Sequence, residues 1–490
     1  MAVVILGFFI LIPLVLGLVA NRKMLPTTED FFVQGRSMGS VAVFFTVAAT
    51  WWSAFAFLGS NGYFYSQGPV YWTALAWNIL FGFLYYFIGK KIWYYGKNYN
   101  CITAGDFFHN LYGSRALANI VAVVLLVFTV PYLQIQLTGG AYLIQQASGG
   151  VIPTWAGSLI FYAVIVIYVW SGGLRAVAWT DIFYGVLLFF GMIFAGFYLA
   201  SKLAGGYVQL FQTLRNNYPQ NLTLPGPSGK FGPMMWVSMF ILTPVGNIVG
   251  APHWTKMYAV KSPKFFSLMP FLLSLAAIAY IGSMLAGSTG ILAVPQGTLK
   301  SADLILPYML FQYTPFVLAA LICACGAAAA MSTACSQIHS MSAIFTVDIY
   351  RRYLNPKADN KAMISMGRIA ILVFALFAYF MSLFNTGLLV TVGLLATAGT
   401  AQILIPTVGI LYWKRSTVTG AVAGLLISEA LVILFQFKVF TAPLGMHGGL
   451  FSLIVNAIVF IIVSLVSKPR DPEIVKKFEE QKAEFNANYS

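Results

Sequence analysis

A chain of 490 residues that is 59% hydrophobic, 16% aromatic and only 8% charged is no ordinary soluble domain, in which charged residues approach about a quarter. Its solvent is lipid. The formal net charge of +15 does not point to a nucleic-acid partner, because the Lys and Arg residues are scattered through short connecting segments and form no basic stripe.

Apolar runs long enough to cross a hydrocarbon core of roughly 30 Å recur along nearly the whole chain. The first, residues 2–20, has no Lys or Arg before it and Arg22 and Lys23 after it, which reads as a membrane span with its N-terminus outside and not as a signal peptide. Further spans are predicted at 40–66, 70–95, 118–146, 151–170, 176–200, 233–258, 265–293, 316–346, 363–384, 387–412, 418–440 and 447–467. That is an all-α polytopic membrane protein of about 13 transmembrane helices. With this odd count only Lys202, Arg215, Lys230, Lys300 and Lys438 of the 28 Lys and Arg residues fall outside, so the positive-inside rule orients the chain in the plasma (inner) membrane with a cytoplasmic C-terminus.

Two spans are interrupted. The run 40–66 carries Gly59 and Gly62 and ends near Gly68, and 233–258 carries Pro244, Gly246, Gly250 and Pro252. They stand five spans apart in opposite orientation, the pattern of an inverted repeat with discontinuous helices at its site. The chain then divides into an extra N-terminal helix and first cytoplasmic loop (1–39), a first repeat (40–204), an extracellular loop (205–231), a second repeat (232–416), two additional C-terminal helices (417–467) and a cytoplasmic tail (468–490). The outside segments 201–232 and 294–315 are long enough to act as lids, whereas the tail is mostly charged and too short for a domain. Asn221-Leu222-Thr223 matches a glycosylation sequon, a pattern short enough to arise by chance.

Within the spans, acids are few. Asp181 lies early in 176–200 and Glu429 midway along 418–440, and an ionisable residue in hydrocarbon is a functional candidate. For Asp181 the alternative is a span-end carboxylate wetted by the cytoplasm or paired with Arg175; Glu429, outside the repeats, suits helix packing or an oligomer contact. Ala329, Ser332 and Thr333 fall at i, i+3 and i+4 and share one helix face, offering a carbonyl and two hydroxyl oxygens of the type a hard cation takes. Small residues with hydroxyls also pack membrane helices together, so both readings stand. His253 and His339 have no partners at ligand spacing and are read as structural. Cys323, Cys325 and Cys335 in one apolar segment and Cys101 in a loop are small buried residues and no disulfide framework.

Four motifs together resemble the sodium:solute symporter family: Asp30 through Gly39, Gly172-Gly173 running to Ala178-Trp179-Thr180-Asp181, Pro252-His253, and Ala329 to Thr333. The match runs in order over nearly the whole chain. It implies the leucine-transporter-type fold, five plus five inverted helices with one helix before and two after. It also implies a co-transported sodium ion held by the carbonyls of Ala49, Trp52 and Ala329 and the hydroxyls of Ser332 and Thr333, with Asp181 on the sodium exit route. No organic cofactor is implied.

The proline-carrying branch has an acid where this chain has Trp51, and the sialic-acid branch grips a carboxylate with a membrane Arg, whereas no Arg or Lys is expected mid-span here. Candidate solute contacts are Thr50, Ser53 and Phe57 on the first core helix, Asn78 on the second, Gln134 and Gln136 on the third, and Thr243 and Asn247 on the sixth. A short polar list among aromatics suits a small organic solute, in the first place a short-chain monocarboxylate, whose charged end meets helix dipoles. The expected partners are that solute and membrane lipid. A proton-coupled carrier of an amino acid or vitamin-like acid is the alternative on the same fold, and a solute-sensing membrane receptor the alternative of another class. An enzyme of the ion-pumping kind is disfavoured, because the sequence lacks a file of Lys, Glu and His in mid-membrane.

Overall fold

The computed structural model describes residues 2–22, 24–384 and 387–489; Lys23, counted above among the inward-facing cations, lies outside them. After α1 (Ala2–Asn21) the chain runs through a broken pair, α2 (Ser40–Trp51) and α3 (Phe55–Gln67), then α4 (Pro69–Asn98), the short α5 (Ala104–Tyr112), α6 (Arg115–Ala147), α7 (Thr154–Trp170) and α8 (Gly173–Ala204). A second broken pair follows, α9 (Pro233–Ile248) and α10 (Ala251–Ala259), with α11 (Met269–Ala293), α12 (Phe316–Leu354), α13 (Asn360–Leu383) and α14 (Leu389–Tyr412) behind it. The chain closes with α15 (Val418–Gln436), α16 (Gly448–Val466) and α17 (Pro472–Tyr489). Among the described residues, nine helices are long and apolar enough to cross a membrane, and the two broken pairs bring the number to 11. The expected 13 is not established by this count, which leaves out α1, a helix of 20 residues, and α7, which is apolar but shorter.

The two breaks are alike in angle, 51° between α2 and α3 and 52° between α9 and α10, but differ in origin. At the second, Gly250 is extended (φ −69°, ψ 152°) and Pro252 sits in the first turn of α10, where its missing N–H costs nothing. The first falls at Trp52 (φ −83°, ψ 83°), upstream of Gly59, Gly62 and Gly68. Its freed backbone donors are satisfied by side chains: Ala54 donates to Gln136 Oε1 at 3.0 Å and Phe55 to Ser53 Oγ at 3.1 Å. Tertiary capping, not a breaker residue, sets this break. Gly62 is instead a packing glycine, since a Cβ there would lie 2.8 Å from the Asp303 backbone nitrogen.

The predicted spans 151–170 and 176–200 meet without a loop. α7 and α8 join through Gly173, whose φ of +54° and ψ of −152° are foreign to other residues. A Cβ on Gly173 would lie 2.7 Å from Phe31 O, and Arg175 donates to Asp30 Oδ1 at 2.6 Å. Two motifs far apart in the sequence are therefore one contact in the fold. Elsewhere α8 and α11 touch backbone to backbone, a Cβ on Gly196 falling 2.2 Å from Gly282 O.

Both lid segments are anchored to the helices, though much of 201–232 stays exposed. Asn221 donates to Gln67 O at 3.2 Å and is 4% exposed, so the sequon asparagine is occupied structurally. Asp303, in the segment 294–315, accepts from the Leu389 N–H at 3.0 Å and ties that segment to the start of α14. The tail, mostly charged and short, is nonetheless packed against the helices. α17 buries Phe478 and Phe485 against the rings of Tyr95 and Tyr94, 5.1 and 5.3 Å away, while Glu484 accepts from Tyr94 at 2.8 Å and Arg470 donates to Leu111 O at 3.3 Å. All four cysteines are free and buried.

Candidate functional site

The α12 face that carries Ser332 and Thr333 lies against the last turn of α2. Thr333 Oγ1 is 3.2 Å from both Ala49 O and Thr50 O, at the point where α2 ends and its carbonyls lose their helical partners. Ala49, Trp52, Ala329, Ser332 and Thr333 are all buried. The C-terminal end of a helix carries partial negative charge, so carbonyls there that have lost their helical partners and meet only a hydroxyl form an oxygen-lined place that favours a cation. Among the described residues no cluster of His, Cys, Asp and Glu suits another metal.

Asp181 belongs to the same place. Ser332 donates to its Oδ1 at 2.5 Å, and the Thr46 hydroxyl donates to its Oδ2. It is fully buried, and Arg175, the partner considered from sequence, pairs with Asp30 instead. Its position at the start of a span therefore did not mean contact with water. Glu429 is also buried, with neither carboxylate oxygen hydrogen-bonded among the described residues.

One residue overturns its sequence reading. Lys256, counted as a cytoplasmic span-end cation, is 1% exposed. From α10 its ammonium donates to Thr46 O at 2.6 Å and to Thr50 Oγ1, and Thr50 Oγ1 donates in turn to Ser336 Oγ at 3.0 Å. A lysine does stand inside a core helix. Hydropathy counting missed it because burial here comes from the fold of α10 under α2 and not from depth in the span.

A small cavity of about 20 Å³ lies beside this cluster, between α6, the α9–α10 break, α12 and α14. Of the eight solute candidates only Asn247 lines it. Thr50 is taken by Lys256 and Ser336, Asn78 accepts from Trp51 Nε1 at 2.6 Å, and Gln136 caps Ala54. Ser53 caps Phe55, and Phe57 packs where a Cβ on Gly326 would touch it. Gln134 and Thr243 are buried outside the lining, Thr243 Oγ1 without a hydrogen bond. The residues that do line it include Thr129, Tyr132, His253, Gln337 and Thr397, and no Lys, Arg, Asp or Glu. His253, read as structural, reaches it through a ring held by Tyr85 at 2.5 Å from Nδ1, with Nε2 unpartnered among the described residues. Gln337 sits one residue past Ser336, so the signal for it was its place on the Ser332–Ser336 stretch of α12. His339, by contrast, is set in the packing around Phe31 and Phe32.

Residues 31–428 match the family described as Sodium:solute symporter family. The chain belongs to the sodium:solute symporter family. Along this symporter, the Uncharacterized symporter YhjB of Bacillus subtilis is 26% identical over 480 residues, covering 95% of this chain and 97% of that one. The Sodium/pantothenate symporter of Escherichia coli is 28% identical, with 89% of each chain covered, and the Osmoregulated proline transporter OpuE of B. subtilis 26% identical, with 94% of each covered. In structure it is similar to a Na+-coupled sialic acid symporter solved in a substrate-bound outward-open state, with a TM-score of 0.80, 18% identity, and 96% and 98% of the two chains covered. The fold is the leucine-transporter type. These relatives are named as symporters and transporters, not enzymes, and this protein is a multi-pass membrane protein of sodium-coupled symport of a small solute.

Proposed function

We propose that this symporter carries a small organic monocarboxylate together with sodium, by alternating access of its two inverted repeats, 40–204 and 232–416. Sodium is held by the carbonyls of Ala49, Trp52 and Ala329 and the hydroxyls of Ser332 and Thr333, and leaves past Asp181. The N-terminus stands outside the plasma membrane and the tail in the cytoplasm. The observation that carries the solute class is a cavity without any charged side chain, set against the Gly250–His253 start of α10. A helix N-terminus meets a carboxylate without a basic residue. Gln337, Asn247 and Thr129 remain to read a hydroxyl or amide on the rest of the solute, and Phe128 and Tyr132 to pack its carbon chain. At about 20 Å³ the cavity holds roughly one water, so it must widen in the transport cycle before it admits a solute. Pantothenate and proline, named for the relatives, also carry one carboxyl group.

The test is uptake by proteoliposomes of a panel of labelled short-chain monocarboxylates, pantothenate, proline and a neutral sugar, each with and without an inward sodium gradient. Sodium-driven uptake of one or more carboxylates is expected. Uptake of the sugar alone, or uptake indifferent to sodium and driven by a pH gradient, would remove the reading.

A further inference from the structure

Lys256 is a buried cation placed among the oxygens that face the proposed sodium site. Its ammonium uses Thr46 O and Thr50 Oγ1, while Thr46 Oγ1 and Ser332 Oγ both donate to Asp181. Thr50 O, on the same residue, is one of the two carbonyls that Thr333 contacts. The lysine, the aspartate and the two hydroxyls on α12 thus form one connected network across α2, α8, α10 and α12. Asp181 is the acid whose charge acts on Lys256, since Asp30 is already paired with Arg175 and Asp106 with Arg352.

A second positive charge cannot enter such a network without cost. Two like charges a few ångströms apart in a medium of low dielectric repel strongly, and a lone buried carboxylate attracts as strongly. We propose that Lys256 is a built-in cation that competes with the transported sodium ion for the field of Asp181 and the oxygens around Thr50, and so sets the sodium concentration at which the carrier loads. The inference rests on the sodium site proposed above. In the sodium-free carrier the ammonium offsets the charge of Asp181 through Thr46, which contacts both. When sodium arrives, the two cations share one anion, which weakens sodium binding and favours its release. Without Lys256 the carboxylate is left to sodium alone.

The experiment is equilibrium binding of radioactive sodium to purified protein, by scintillation proximity, for wild type, Lys256→Met, Asp181→Asn and the double variant. Half-saturation is expected about tenfold lower in Lys256→Met, about tenfold higher in Asp181→Asn, and within about threefold of wild type in the double variant, where both charges are gone. A purely structural lysine would weaken or spare sodium binding, so half-saturation in Lys256→Met at or above the wild-type value overturns the inference. Should Lys256→Met not be recovered folded, the double variant decides: binding about tenfold tighter than Asp181→Asn supports competition, and equal binding overturns it. Wild-type protein that binds no sodium would instead remove the proposed site itself.

Discussion

Thr333 on α12 reaches the carbonyls of Ala49 and Thr50, 3.2 Å from each, at the residues where α2 stops being a helix. Helix end and hydroxyl face therefore define each other. For Ser332→Ala/Thr333→Ala, the sodium concentration for half-maximal uptake is expected to rise about tenfold or more, each lost oxygen costing about 1 to 3 kcal/mol. Solute affinity should fall mainly at low sodium, because linkage transmits the ion's lost binding energy to the solute. Uptake against sodium concentration at matched membrane expression checks this, and an unchanged curve contradicts it.

Polar residues near the two breaks separate into two groups. Asn78→Ala strands the buried Trp51 Nε1, now 2.6 Å from Asn78 Oδ1, and is expected to cost about 1 to 3 kcal/mol of stability with the solute spectrum unchanged. Gln337→Ala and Asn247→Ala, both in the cavity lining, should instead change solute KM and preference, with half-saturation by sodium within about threefold of wild type. Thermal unfolding and competition uptake, measured on the same preparations, tell the two groups apart.

Gly173→Ala meets two obstacles, a φ of +54° and a Cβ 2.7 Å from Phe31 O. Gly149→Ala meets only the first, with φ +62° and nothing within 4 Å. The Gly149 variant should lose about 1 kcal/mol and the Gly173 variant distinctly more, up to about 3 kcal/mol or failure to accumulate. Equal losses would mean that the contact between the first loop and the α7–α8 joint is slack.

Asp303 lies outside the spans, and burial raises its carboxyl from 3.8 to about 6. A raised acid binds its proton more readily in the folded state, so stability falls as pH rises from about 4 to about 6 and is level above that. Asp303→Asn should therefore raise the melting temperature at pH 7, by the equivalent of up to about 3 kcal/mol, and lose that advantage near pH 4. An advantage that is the same at both pH values would place the effect in packing.

The second break was legible because Gly250 and Pro252 write it into the local chemistry. The first was expected in the right span but not at its place: the glycines lie downstream, and the kink at Trp52–Ala54 is held by Gln136, 82 positions away. The face of Ala329, Ser332 and Thr333 follows from helical periodicity, which needs no partner to be seen. The burial of Lys256 and the make-up of the cavity lining did not follow from sequence, because what decides them is competition among polar groups. Asn78, Gln136 and Thr50 are polar residues in the right spans, yet each is already hydrogen-bonded inside the protein. Sequence shows that a residue can offer a hydrogen bond and not whether it is still free.

The packing of α17 has a consequence for how the molecule is made. Glu484 meets Tyr94 across 390 positions of sequence, and Phe478 covers Tyr95 in the same way. The elbow between α4 and α5 is synthesised long before the segment that covers it. Until α17 has been made that aromatic face stays open, and a chain cut before Pro472 would leave it for other proteins, or for quality control, to find.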